Sequence, residues 1–344
     1  MELQKKAAYN LLLMNLPIVL KEEAEGTPYT FESWQKEDFR TFPEERLFEE
    51  LAELGFSLNP KMFEEISEKY DTPEDLFKDL TKGWKDGVKK DHAYLLFFEL
   101  WRRFVPEKQS LSIICDELEN LICLYNRGDS TISEALQDQL ATVQSILEEN
   151  VDAGVDPKTV FLELQSYLAN DLENFIYHAI LDQIENENGN YALELLEGFD
   201  PFVEDTHWFA YLRGRALALK DPEEGFALLE KLIEEKHLSV QLNLEMLLFL
   251  AEESHHLLFL ELAKKTLPML ELEEDLIDYM MALLAFYGEM GRKEPQKKLQ
   301  ALIEKRKTMD EETPLDHNDQ IFYQLRELLP RISSSLNKKG EKFK

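Results

Sequence analysis

Residues 207–235 read HWFAYLRGRALALKDPEEGFALLEKLIEE. In the first half, Trp208, Leu212 and Ala216 fall four residues apart, which lines them along one face of a helix. Lys220-Asp221-Pro222 then breaks the pattern: aspartate is a good N-cap, and proline at the first helical position loses no hydrogen bond. A second striped helix is expected at residues 226–235. The unit recurs at a spacing of 34 residues, where the stripe reads Leu242, Met246 and Leu250, and then Leu276, Met280 and Leu284. Second helices are expected at residues 257–267 and 296–306. A looser copy lies upstream, with Ile176, Ile180 and Ile184 followed by a helix around residues 192–196.

A helix–turn–helix unit of this period resembles the tetratricopeptide repeat. Trp208 stands at the start of the first helix, Gly214 where a missing side chain allows close helix approach, and Gly225 at or beside the small residue of the second helix. Tyr287 and Gly291, within YGEMGRKEPQ, match the aromatic and turn positions of the last copy. Two features depart from the family pattern: the turn after Leu219 is short, and the third copy lacks both the glycine and the small residue. The resemblance implies an α-solenoid of helical hairpins within residues 172–306, whose first helices line a surface for extended or helical peptides. Residues off the buried stripe become the candidate partner contacts: Tyr211, Arg215, Asn243, Tyr279 and Leu283. Arg215 and Asn243 stand out as polar residues on apolar helices, whereas Tyr211 and Leu283 suit packing against the next helix equally well.

Outward from the repeats the chain remains helical, so the expected fold is all-α. No segment alternates apolar and polar residues long enough for a strand. Leu111, Ile114, Leu118, Leu121 and Tyr125 recur at helical steps, as do Tyr94, Phe97, Trp101 and Phe104. Asn59-Pro60, Thr72-Pro73, Asp156-Pro157, Asp200-Pro201 and Asp221-Pro222 each pair a cap with a proline and predict helix starts. Gly55, Gly128 and Gly189 predict helix stops. The organisation expected is an N-terminal helical domain over 1–152, a hairpin-repeat domain over 153–332 closed by a capping helix, and a basic tail over 333–344. Arg127-Gly128-Asp129 reads as a turn.

Composition sets bounds on function. The 344 residues are 44% hydrophobic, ample for a core, and only 13 glycines and 13 prolines interrupt a Leu- and Glu-rich chain that favours helix. The net charge of −31 repels phosphate backbones, so nucleic-acid binding is not expected. The same field attracts a basic protein or peptide partner, while excess glutamate also serves simply to keep a helical surface dissolved. Cys115 and Cys123 share one predicted helix, roughly 12 Å apart along its axis. That is too far for a disulfide and suits free thiols in a reducing compartment, so a cytoplasmic location is expected. The N-terminal MELQKKAAYNLLLMNLPIVLKEEAEG carries Asn10, Asn15 and Pro17 in its apolar run and no small-residue cleavage site; it reads as a docking helix instead of an export signal. No stretch reaches the length of a membrane span.

Signals for chemistry are weak. Glu234 with His237, Glu252 with His255 and Glu253 with His256 have the spacing of helical di-metal ligands, but the two further glutamates that such a centre needs are not evident. DQIENENGNYALEL fails as a calcium loop, because Ile184 and Leu195 fall where carboxylates belong. Phosphate-cradling glycine loops, a His-Glu-x-x-His helix and a nucleophile elbow are missing from the sequence. The expectation is therefore a non-catalytic interaction scaffold with no cofactor and no metal, its oligomeric state left open. A second reading is an acidic, chaperone-like holder of a basic or aggregation-prone client, suggested by the charge and by Met246, Met280 and Met281.

Overall fold

The computed structural model describes residues 32–235 and 237–329, so the expected N-terminal helix and basic tail lie outside it. Among the described residues the chain is all-α, with sixteen α-helices and one isolated bridge, Leu272 to Pro314. It divides into two compact units. One takes in the described residues up to Asp182 together with Glu194–Glu204; the other takes in Gln183–Leu193 and the chain from Asp205 onward.

In the first unit, α1 (Glu44–Glu53), α2 (Pro60–Ser67) and α3 (Pro73–Leu80) all pack on α4 (Gly87–Phe104). Helix α4 is surrounded because its sequence is apolar on every side: the run from Ala93 to Trp101 is buried without a break. That run includes Glu99, whose carboxylate is held by Arg102 Nε at 3.0 Å and Arg103 Nε at 2.6 Å. Helices α5 (Leu111–Asn126), α6 (Ser133–Asp152) and α7 (Pro157–Gln165) follow, each packed on its predecessor from α6 onward. Buried acids on α5 are likewise satisfied. Asp116 meets the Arg40 guanidinium, and Glu119 accepts from the Ala169 and Asn170 amides at 2.6 and 2.9 Å. Pairing of this kind is what allows a charge inside a core.

Helices α8 (Leu172–Glu185) and α9 (Gly189–Phe199) carry the chain across the division between the units. In the second unit the helices run as consecutive pairs: α10 (Thr206–Ala218) with α11 (Pro222–Glu234), α12 (Val240–Glu252) with α13 (His256–Thr266), and α14 (Glu273–Glu289) with α15 (Lys293–Arg306). Helix α14 also packs on α12, first helix against first helix. Seven of the nine stripe residues are buried, with Trp208 and Leu284 half-buried at the edges. Helix α16 (Gln320–Leu328) adds Ile321, Phe322 and Leu325 to the same core. The two glycines of the opening stretch mark a close crossing. A Cβ at Gly225 would lie 2.4 Å from Ala218 N, and one at Gly214 would lie 2.5 Å from Leu229 Cδ2.

Most helix punctuation falls where expected. Asn59, Thr72, Asp156 and Asp221 cap their helices through the side chain, each followed by proline. Asp200-Pro201 does not start a helix. The Asp200 amide closes the last turn of α9 on Leu196 O at 3.0 Å, and buried Phe202 and Val203 anchor a turn before α10 begins. Gly55 and Gly128 take positive φ after α1 and α5, but Gly189 opens α9 and the left-handed residue is Glu187, at φ 61°. Gly189 is small for another reason: a Cβ there would press on Ala216 O at 3.2 Å.

Candidate functional site

The 34-residue spacing places Arg215 of α10 and Phe249 of α12 at equivalent positions on successive first helices. Their side chains meet: the Arg215 Cζ lies 4.9 Å from the Phe249 ring centre and 5.7 Å from that of Tyr211. Aromatic contacts extend this bed in both directions. Tyr211 packs edge-on against Phe249 at 6.2 Å and Trp208 at 6.5 Å, while Phe226 of α11 stacks on Phe249 at 6.1 Å. The His255 ring then lies over Phe226 at 4.3 Å. Trp208, Arg215, Phe226 and His255 are each half-buried, so the shelf keeps part of its surface open.

Arg215 differs from four other half-buried arginines. Arg40, Arg102, Arg103 and Arg306 each meet a carboxylate. Arg215 makes no ion pair among the described residues, and its Nε is buried without a hydrogen-bond partner there. Stacking on two rings holds the guanidinium in place without consuming its N–H donors. Such a group is suited to donate to a carboxylate or a backbone carbonyl from outside, because unused donors over a partly desolvated surface bind an acceptor strongly. At the far end of the shelf, burial pushes the His255 imidazole below its ordinary value, and its Nδ1 is buried without a partner among the described residues.

The remaining sequence candidates fall in the interior. Tyr211, Asn243, Tyr279 and Leu283 are fully buried, so none offers a surface of its own to a partner. Tyr279 donates to Ala263 O at 2.8 Å and ties α14 to α13; burial raises its hydroxyl pKa. Asn243 lies with its amide 3.6 Å from Met269 Sδ and its Oδ1 unpartnered among the described residues. Phe249, Phe226 and His255 were not singled out as partner contacts, although adding 34 to Arg215 leads directly to Phe249.

Other polar constellations have structural partners. Cys115 is a buried free thiol whose pKa burial drives up, reinforced by the Glu119 and Asp116 charges, and Cys123 is half-buried and free. Glu74 in the first unit accepts from Tyr94 Oη at 2.9 Å, and burial raises its carboxyl pKa. Among the described residues no three His, Cys, Asp or Glu side chains converge as metal ligands, and no helix is long and apolar enough to cross a membrane. Comparison with protein-family models, curated proteins and solved structures gives no match.

Proposed function

We propose that this chain is a non-catalytic, cytoplasmic protein-binding scaffold, and that its second unit is a short array of tetratricopeptide-like hairpins. Three features support the array: consecutive helix pairs, the packing of first helix α14 on first helix α12, and the glycine crossing of α10 and α11 at Gly214 and Gly225. The observation that carries the binding role is Arg215, a guanidinium bedded on Phe249 and Tyr211 and left without a carboxylate in a chain of net charge −31. The partner is a protein or peptide, basic overall to match that charge, which supplies an acceptor group to Arg215. Nucleic acid and membranes are not its targets. The holder reading drew on the charge, which the scaffold shares, and on methionines, of which Met246 and Met280 are core residues while Met281 is exposed. The scaffold is therefore the reading preferred.

The test is capture from native lysate with the purified chain across a salt series, read by mass spectrometry. A single partner of fixed stoichiometry, held at low salt and released at high salt, is expected. Suppression of client aggregation with no defined stoichiometry would favour the holder, and a co-purifying small molecule or metal would sink the non-catalytic assignment.

A further inference from the structure

A groove of about 1040 Å³ is lined by Lys298 and Leu302 of α15, by Tyr323, Arg326 and Leu328 of α16, and by Leu329. Leu302 and Leu328 are half-buried and Leu329 is buried, while Tyr323 stands 62% exposed, an aromatic at the rim of an apolar floor. Large exposed aromatics beside apolar floors favour protein contacts.

The charge of this groove runs against that of the molecule. Helix α15 carries Lys293, Lys297, Lys298, Lys305 and Arg306 against Glu294 and Glu304. Lys297 pairs with Glu294 at 3.8 Å, and Arg306 is taken up by Glu273 and Asp319. Lys298 and Arg326 have no ion-pair partner among the described residues, and Glu327 is the one carboxylate in the lining. The sequence after Leu329 adds Arg331, Lys338, Lys339, Lys342 and Lys344 against Glu341, a like charge to that of Lys298 and Arg326.

We infer that the groove docks an acidic amphipathic segment of another protein, with apolar side chains on Leu302, Leu328 and Tyr323 and carboxylates at Lys298 and Arg326. Complementary charge on an apolar floor fixes both the sign and the character of the occupant. The groove is built from helices other than those carrying Arg215, and the inference does not depend on that shelf.

The test titrates the full chain into a fluorescein-labelled peptide of repeated Leu-Glu-Glu-Leu and reads anisotropy, with a Leu-Lys-Lys-Leu peptide as control. The acidic peptide is expected to bind, and the double variant Lys298→Glu/Arg326→Glu to weaken it about tenfold with an unchanged melting temperature. Binding of the lysine peptide should not fall in that variant. Should the double variant misfold, Tyr323→Ala at its exposed position gives the same reading. Failure of the acidic peptide to bind, or equal binding to the wild-type chain and the double variant, overturns the inference. So does variant-sensitive sedimentation with phosphatidylserine vesicles, which would make the groove a lipid site. Self-association abolished by the double variant would assign the groove to a second copy of the chain and also overturn it.

Discussion

At Gly225 an added methyl would meet the backbone of α10, 2.4 Å from Ala218 N and 2.6 Å from its Cα, whereas at Gly214 it would meet the Leu229 side chain. Backbone cannot step aside as a side-chain terminus can. Gly225→Ala should therefore cost about 2–3 kcal/mol and Gly214→Ala about 1 kcal/mol, because the gain in helix propensity offsets part of a relievable clash. Urea midpoints of the two variants decide the order; equal costs would deny the close crossing. His255 gives a residue-scale pH effect. Its pKa is depressed below the ordinary 6.5 chiefly by burial, with His256 lowering it further and Glu230 opposing. The unfolded chain thus takes up the proton first. The contribution of neutral His255 is complete above about pH 6.5 and is lost as pH falls through the folded value. The difference in urea midpoint between pH 7.5 and pH 5.5 should shrink in His255→Phe, which keeps a ring over Phe226. Cys115 makes a simpler point: with its thiol held up by burial, iodoacetamide should label Cys123 first in the native protein.

Elements show which signals were local. Asp221 accepts from the Glu223 and Glu224 amides at 3.1 and 3.2 Å, and Asp221→Ala should cost about 1 kcal/mol in the thermal unfolding of the chain. Cap and proline together were sufficient at Asn59, Thr72, Asp156 and Asp221, since each acts within its own helical turn. The same dipeptide at Asp200 was overruled by burial of Phe202 and Val203, a tertiary preference that no window of local sequence carries. Gly189 misled for a similar reason: its size answers to the end of α10, not to backbone conformation. The apolar stripes of α10, α12 and α14 were legible because burial selects a period of three to four residues, and so were their second helices, which begin up to four residues earlier than the stripes alone suggested.

Across the whole molecule, a charge of −31 on sixteen described helices is the ground for proposing a basic partner, and it chooses none of the residues that would meet one. Polarity on an apolar helix singled out Asn243 and Arg215 alike, and only packing separates them. Helix α12 is buried on nearly every side and takes Asn243 inside, while Arg215 lies half-open on a bed supplied by the next first helix. The shelf could have been read from the 34-residue offset between Arg215 and Phe249, but Phe226 joins it from the second helix α11 and His255 from the turn before α13, and no period links them. The measurement that bears most directly on the scaffold is the dissociation constant of the captured partner for the wild-type chain and for Arg215→Glu, with melting temperatures alongside. The account predicts binding weakened about tenfold or more at a nearly unchanged melting temperature, because the variant replaces donors with a like-charged repulsion on an open surface. Unchanged binding, or losses of stability and affinity in step, would contradict it.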